Sequence, residues 1–442
     1  MKRILIALVL ITSVVTAQNS NDTLYLDLGK AVEIALKNNN DLKIARYNKD
    51  IADEKVDEAW GGAVYPEIKG TVNYRRALKK GVFTIEAPGF SGTFPIGTDN
   101  TLTSSLSIYQ NIFSAAVFIG VSAAETFAQM SEKELEASRD AVKYNVKNAY
   151  NLVMLAQEVV EVNKVTLANS EENLKNAEVL YKQGLVSEYD LVRARVQVQN
   201  AIPELEQAEN AYKTAMSTLK YVLGFEDGEK IAVTGRLVYE EAEFTDLDSY
   251  FEHVMNNNPM LLQSMLNIKL RDQAASAYFA DHFPTINAFG SWNVEAQEND
   301  SRSFPSWRYV NSINVGLELK IPIFNGWRTT SKINQAQLEY KIAQETLLKT
   351  KKGLRNKLEE TLLKINNQKD KIKAYRSGLE QAELAYNISK KRFSEGLATQ
   401  LEIVDALLGV SRAKFNYLNG IYEYKSAIAA LEQLLSKELK NN

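Results

Sequence analysis

Long stretches of the chain repeat apolar or small side chains at alternating steps of four and three residues. They occupy residues 142–181 and 354–393, with the second stretch 212 positions after the first (354 − 142 = 212). Two further runs, residues 191–222 and 403–434, keep the same spacing. This pattern is typical of coiled-coil packing between long helices. The alternative is amphipathic helices on a globule, but those seldom exceed about 25 residues without caps.

Helix lengths indicate how these segments are arranged. A helix over about residues 122–183 would be on the order of 90 Å long, whereas its partner after the turn would reach only roughly 50 Å. A helix over about residues 40–63 closes the gap if it stacks end to end on the shorter one. Short helices are expected to precede it and its counterpart, from about Leu28 and Leu247. These lengths predict that each half of the chain forms an antiparallel two-helix rod with a tip at one end and strands at the other.

Four other stretches alternate strictly between apolar and polar residues. The last of them places Ile313, Val315 and Leu317 on one face and Asn314 and Glu318 on the other. Such strands are typical of a transmembrane barrel, although a half-buried sheet in a soluble protein has the same period. Four strands are fewer than the roughly eight that close a membrane barrel, so several chains must share one barrel. The chain is therefore expected to be an obligate oligomer.

Aromatic residues flank the predicted strands. Tyr65, Phe283 and Trp327 lie at helix–strand junctions, and Trp307 and Tyr309 open the last strand. These positions suit the aromatic girdle of a membrane interface. Trp60 is instead expected to pack in a core. The hairpin loops carry many polar, Gly and Pro residues and are expected to be exposed.

The chain consists of two copies of one unit. Pro66 matches Pro284 (284 − 66 = 218), and Gly184 matches Gly396 (396 − 184 = 212). The predicted order is a signal peptide over residues 1–17, a first repeat over 18–223 with a β-hairpin at 67–113 and a helical tip at 184–190, a linker over 224–245 with one short strand, a second repeat over 246–437 with a β-hairpin at 285–324 and a tip at 396–402, and a C-terminal tail over 438–442.

The N-terminus and the composition narrow the function. Lys2 and Arg3 precede an apolar run that ends in small residues, the pattern of a secretory signal peptide. The net charge of −3 gives no basic excess for nucleic acid. With no cysteine and two histidines, disulfides, thiolate metal sites and cysteine nucleophiles are excluded. No catalytic residue, cofactor or metal site is expected, so an enzyme is disfavoured.

With these features, the chain resembles the TolC family of outer membrane efflux and type I secretion channels. The resemblance rests on the tandem repeat, on Pro66 and Pro284 before the strands, and on the tips GLVSEYDLVRA and EGLATQLEIVDAL. It implies an α+β membrane protein in the outer membrane of a Gram-negative cell, in contact with outer membrane lipid. Long antiparallel coiled-coil helices would form a periplasmic tunnel, and a homotrimer would share one transmembrane β-barrel with four strands from each chain.

The resemblance also implies partners at the tips. A periplasmic adaptor, itself bound to an inner-membrane transporter, would dock there. Gly184 and Gly396 are expected to supply the backbone freedom for a tight reversal, with Leu185 and Leu397 exposed as apolar contacts.

Three acidic residues follow from the same resemblance. Glu402 and Asp405 match the acidic pair that lines the tunnel constriction, and Asp190 matches their partner in the first copy. In place of the tyrosine and arginine of the family's closing network, this chain has Phe393 and Ala398. The acidic ring is therefore carried over and the hydrogen-bonded lock is not. Arg193 takes the place of the second acid in copy one and is expected to neutralise Asp190 in part.

A periplasmic coiled-coil adaptor or scaffold is the alternative function. It explains the helical hairpins but leaves four apolar-faced strands unused. An adaptor would wash off membranes or carry a lipid, whereas a duct would need detergent. The exported substrate stays open between drugs, metals, peptides and proteins, because the seven methionines and two histidines are scattered.

Overall fold

The computed structural model describes residues 23–226, 229–242 and 247–439. The predicted signal peptide lies outside these residues, as do parts of the predicted linker and the end of the tail. The described elements are, in order, β1 Leu24–Leu26, α1 Leu28–Asn38, α2 Asn40–Val64, β2 Glu67–Arg76, β3 Gly81–Ala87, β4 Phe90–Ile96, β5 Asn100–Phe113, α3 Ala115–Lys182, α4 Glu188–Leu223, β6 Ile231–Val233, α5 Leu247–Asn257, α6 Pro259–Ala280, β7 Thr285–Glu298, β8 Tyr309–Lys320, α7 Arg328–Ser394 and α8 Gln400–Leu435.

The same order of elements occurs twice, which confirms the internal repeat. Each copy has a short helix, a longer helix, paired strands, a very long helix and a final helix. The very long helices α3 and α7 have 68 and 67 residues, and α4 and α8 have 36 each. α3 begins at Ala115 rather than near residue 122. Among the described residues, no helix combines the length and the apolar character needed to cross a membrane.

The repeating apolar positions form the buried stripe that their spacing predicts. Along α7, Leu358, Ile365 and Ile372 are at most 1% exposed. Along α4 the stripe is mostly alanine, such as Ala194 and Ala208, and these small side chains allow helices to approach closely. The prediction fails at Tyr181, at the end of α3, whose side chain is 41% exposed.

The described chain separates into two compact units. One comprises Lys143–Glu241 and Asn366–Ala429 together with the described residues up to Asn39. The other comprises Asn40–Val142 and Ala242–Ile365 together with the described residues from Ala430 onward. The first unit contains both helical tips, and the second contains the strands β2–β5, β7 and β8.

An asparagine marks the corresponding junction in each repeat. In the first unit, Asn39 Nδ2 donates to the Val222 carbonyl at 2.8 Å. In the second unit, Asn258 Nδ2 donates to the Leu434 carbonyl at 3.0 Å. Both asparagine side chains are buried, and each satisfies a carbonyl that the end of a helix leaves free. Each repeat thereby fastens the C-terminal end of its last helix to the junction between its first two helices.

Gly224 ends α4 in the left-handed conformation, with φ of 73°. A Cβ atom there would lie 2.5 Å from the Asn38 carbonyl oxygen. A side chain at this position is therefore disfavoured both by this clash and by the left-handed backbone. Beyond this turn, β6 pairs in parallel with β1, with Leu24 opposite Ile231. The sequence predicts a short strand in the linker but does not predict its partner β1.

The four predicted alternating strands form one antiparallel sheet in the order β2-β5-β7-β8, so β2 and β8 lie at its two edges. Cross-strand pairs align their apolar residues on one face. Leu106 lies opposite Trp292, which lies opposite Ile313. This face is uncovered in the chain, since Ile313 is 76% and Val315 82% exposed. The opposite face carries residues such as Asn73, which lies opposite Thr103.

In the strand region, one feature was not predicted and one expectation is wrong. The first hairpin loop is exposed as expected, but it also contains the antiparallel pair β3 and β4, which its composition did not predict. The alternation of Phe83, Thr84 and Ile85 in β3 is typical of a strand, although the neighbouring segment contains glycine and proline residues that are typical of a loop. Trp307 is buried rather than interfacial, and its ring lies 5.0 Å from Phe304 and 6.4 Å from Tyr74.

Trp60 also departs from its expected role. It lies on α2 and is 42% exposed instead of packing in a core. By contrast, Tyr65, Phe283 and Trp327 are exposed at the helix–strand junctions. Pro66 and Pro284 immediately precede β2 and β7. Proline has no backbone N–H group, and both positions lie after the end of a helix, where no helical hydrogen bond needs one.

Candidate functional site

Both helical tips close with the same backbone geometry. Gly184 and Gly396 have φ of 72°, a left-handed conformation that costs other residues about 1–2 kcal/mol. After each glycine, a leucine amide reaches back to the preceding helix. Leu185 N–H donates to the Leu180 carbonyl at 2.9 Å, and Leu397 N–H donates to the Arg392 carbonyl at 2.7 Å. This is the Schellman arrangement, which ends a helix and reverses the chain within a few residues.

In the first tip, Ser187 and Asp190 form a capping box at the start of α4. The Asp190 N–H donates to Ser187 Oγ at 3.2 Å. The Ser187 N–H donates to the Asp190 carboxylate at 3.2 Å, and the Ser187 hydroxyl donates to it at 2.6 Å. The carboxylate thus satisfies backbone donors that a helix N-terminus leaves unpaired.

In the second tip, Thr399 and Glu402 form the equivalent box before and within α8. Thr399 N–H donates to Glu402 Oε1, and Glu402 N–H donates to Thr399 Oγ1, each at 3.3 Å. Arg392 adds a second restraint. Its guanidinium lies 3.6 Å from the Glu402 carboxylate and donates to the Leu397 carbonyl at 3.1 Å. Glu402 is therefore held at the tip by both a cap and a cation.

The three predicted constriction acids consequently differ in their surroundings. The carboxylates of Asp190 and Glu402 both accept hydrogen bonds in capping boxes, and a negative charge near a helix N-terminus is favourable. Asp405, one turn further along α8, is exposed and has no hydrogen bond or ion pair within the described chain. The expected neutralisation of Asp190 is not seen as an ion pair. The guanidinium of Arg193 instead lies 3.4 Å from the Tyr189 hydroxyl.

An apolar cluster lies behind the second tip. Phe393, Ile403 and Leu407 are at most 2% exposed, and Tyr386 and Val404 complete the cluster. Further side chains pack against it from α3, from the turn and from α8: Leu180, Ala398, Ala406 and Val410. Phe393 and Ala398 thus form apolar contacts that join the ends of α3, α7 and α8.

Two polar contacts join the same helices further from the tips. Lys390 Nζ on α7 donates to the Glu172 carboxylate on α3 at 2.7 Å, and this hydrogen bond raises the pKa of Lys390. Thr166 on α3 and Ser411 on α8 share a hydrogen bond of 2.8 Å. A helix of the first repeat is therefore fastened to both helices of the second hairpin. Nearby, burial raises the pKa of the Tyr386 hydroxyl.

The apolar residues at the tips are open to solvent. Leu185 is 67% and Leu397 is 65% exposed, although each follows its glycine directly. The capping residues Ser187 and Thr399, and the cation Arg392, were missed in the sequence. The first two could have been found, since Ser-x-x-Asp and Thr-x-x-Glu before an apolar run resemble the capping-box pattern.

Comparisons with known proteins agree with this architecture. The Outer membrane efflux protein family matches residues 31–225 and 251–437. The outer membrane protein TolC of Escherichia coli strain K12 is 22% identical over 438 residues, covering 94% of this chain and 86% of TolC. TolC of Vibrio cholerae serotype O1 is 21% identical over 340 residues, covering 75% of this chain and 77% of that protein. The crystal structure of the Campylobacter jejuni CmeC outer membrane channel superposes with a TM-score of 0.77 at 19% identity, covering 94% of this chain and 86% of CmeC.

Duplicated long helical hairpins and a sheet with an uncovered apolar face define the class of outer membrane channels with a periplasmic helical tunnel. The chain belongs to the outer membrane efflux protein family, whose match covers both repeats. It is an outer membrane duct for efflux or secretion. Members of the family are channels rather than enzymes.

Proposed function

We propose that three copies of the chain form one passive exit duct and that their sheets complete a shared transmembrane β-barrel. The observation that carries this proposal is the sheet itself. Its edge strands β2 and β8 have ten and twelve residues, long enough to cross a bilayer at a tilt. Open edges of this length expose unpaired backbone groups, which hydrocarbon does not tolerate. Pairing β8 of one copy with β2 of the next removes every such edge.

The two faces of the sheet support the same arrangement. The apolar face, with Leu317 at 75% and Leu319 at 59% exposed, matches outer membrane lipid. The opposite face carries Lys69, Thr71 and Asn73 on β2, which suit a water-filled lumen. A periplasmic adaptor or scaffold has no use for such a sheet, so the duct is the better account.

The tips are proposed to dock a periplasmic adaptor that connects the duct to an inner-membrane transporter. Leu185 and Leu397 are large apolar side chains exposed on turns that backbone hydrogen bonds close, and each copy supplies one of each. In a trimer, six such leucines would gather at one end of the duct, and a contiguous exposed apolar patch is typical of a binding surface. Asp190, Glu402 and Asp405 lie beside these turns and are proposed to line the constriction where the tunnel narrows.

The decisive experiment measures assembly and export together. Light scattering of the detergent-extracted protein should give three chains per particle, and a stable monomer would refute the shared sheet. Leu185→Asp with Leu397→Asp should leave this trimer intact but abolish export, measured as growth of a channel-deficient strain on a panel of toxic compounds. Leu185→Met with Leu397→Met is the matched control and should retain export. Normal export by the aspartate variant would exclude the tips as the docking site.

A further inference from the structure

The hairpin formed by β3 and β4 is present in the first repeat alone within the described chain. It interrupts the connection between β2 and β5, residues 77–99, whereas the equivalent connection in the second repeat spans only residues 299–308. All of β3 and all but Gly92 of β4 are exposed, so the rest of the chain does not cover the hairpin. An isolated two-stranded hairpin is only marginally stable in water. An additional surface is needed to hold it.

The strand register shows which face of the hairpin is suited to packing against this additional surface. Phe83 pairs with Phe94, and Ala87 pairs with Phe90, so their side chains share one face. Ile85 and Ile96 belong to the same face. The rings of Phe90 and Phe94 stack 6.3 Å apart over Gly92, where a Cβ atom would lie 3.0 Å from each ring. We call this surface, formed by Phe83, Ile85, Ala87, Phe90, Phe94 and Ile96, the hairpin's apolar face.

The other face is more polar. Thr84 and Thr93 lie opposite each other, with their hydroxyls 3.2 Å apart, and Glu86 pairs with Ser91. Val82 and Pro95 are the apolar exceptions, near the base of the hairpin. A two-faced element of this kind buries one side and leaves the other in water.

Lipid is a poor partner for the apolar face. At the base of the hairpin lies a collar of four charged residues and one amide, which we define as Arg76, Lys80, Asp99, Asn299 and Asp300. Arg76 donates to Asp300 at 2.9 Å, and Lys80 lies 2.9 Å from Asp99. Charged groups are costly in hydrocarbon, so the collar must lie in water. The hairpin is connected to the sheet only through this collar and therefore extends beyond the membrane.

We infer that the apolar face packs against the same face of neighbouring copies, so that three hairpins meet around the axis of the duct. This inference rests on the proposed trimer, because symmetry then places the three hairpins at one height around one mouth. Each leaves from β2, the edge strand that adjoins the next copy. A strand of seven residues spans roughly 23 Å, so each hairpin is long enough to extend from the collar toward its neighbours. The three hairpins together narrow the outer mouth.

Cysteine cross-linking tests the contact, because the natural chain contains no cysteine. Ile85→Cys and Phe94→Cys place one thiol on the apolar face. Thr84→Cys and Thr93→Cys place it one residue away on the other face and serve as matched controls. Detergent-extracted protein is treated with a short bismaleimide and separated under denaturing conditions. The apolar-face variants should form covalent dimers, in up to two of every three chains, while the controls stay monomeric.

Other results would overturn the inference in distinguishable ways. Light scattering on the same samples reports whether the trimer is present. If trimers form but both faces cross-link equally, or neither does, the hairpin contact is refuted and the proposed duct stands. If Phe94→Cys, labelled with a polarity-sensitive dye in vesicles, is quenched by brominated lipid, the partner is the membrane instead. A stable monomer refutes both the contact and the trimer on which it depends.

Discussion

Phe393 provides the sharpest test of what holds the second tip together. Its side chain is 2% exposed and lies in the apolar cluster with Ile403 and Leu407. Phe393→Ala removes a complete ring from a packed site, a change that typically costs about 3–5 kcal/mol when the site cannot collapse. Because each 1.4 kcal/mol is a factor of ten, local opening of the tip should become roughly 100-fold to a few thousand-fold more frequent.

Hydrogen exchange measures this opening directly. In the detergent-extracted protein, backbone amides near residues 386–410 should lose protection by about that factor, while those of β5 and β7 should not change. Leu397→Ala is the matched control, since its side chain is 65% exposed on the same turn. A surface change of this kind is usually within about 0.5 kcal/mol, or roughly a factor of two.

If Phe393→Ala and Leu397→Ala showed the same hydrogen-exchange rates near the tip, the apolar cluster would have no role in holding the tip. Loss of protection that spread equally to the strands would also contradict the reasoning, because it would mean that the ring supports the whole molecule rather than its tip. Phe393→Tyr separates volume from polarity. It keeps the ring but places a hydroxyl in the apolar cluster, and an unpaired hydroxyl costs about 1–3 kcal/mol. Its effect should therefore fall below that of alanine.

Two further predictions concern the acids of the second tip and two glycines elsewhere in the chain. In planar bilayers the duct should conduct cations in preference to anions. Asp405→Asn should reduce that preference more than Glu402→Gln, because the Glu402 carboxylate is already paired with Arg392. If the variant with both substitutions kept the same reversal potential, the acidic ring would lie elsewhere. Gly224→Ala should lower the thermal unfolding temperature, since a Cβ atom would meet the Asn38 carbonyl at 2.5 Å and the left-handed backbone adds about 1–2 kcal/mol. Gly353→Ala, in the open interior of α7, should raise that temperature, because glycine costs about 1 kcal/mol there, and equal shifts for both variants would refute this account.

The long-range periodicities made the helices and the main strands predictable. Steps of four and three residues that continue over many turns are specific to long packed helices, and strict alternation in β8 identifies both faces of its strand. The β3–β4 hairpin was missed because Pro88, Gly89 and Gly92 gave its segment the composition of a loop. Trp307 was misplaced because its burial depends on Tyr74 and Phe304, which local sequence does not bring together.

At the tips, the turns were predictable and the roles of individual acids were less so. A glycine between two helical patterns indicates a reversal, and both glycines have the left-handed backbone that such a reversal needs. Whether a carboxylate points into a lumen or caps a helix depends on its neighbours, such as Ser187 for Asp190. The constriction assigned to Asp190, Glu402 and Asp405 stays a prediction.

The central pairing of the sheet also sets the order in which the protein can mature. β5 pairs with β7 so that Asn100 lies opposite Glu298, 198 positions later (298 − 100 = 198). Closing so long a segment carries an entropic cost and slows folding, so the hairpin of β2 and β5 must wait while the helices between are made. During that interval its apolar face and open edge are free to associate wrongly. A chain that ends before β7 would remain in this vulnerable state, because β5 would have no partner on its second edge.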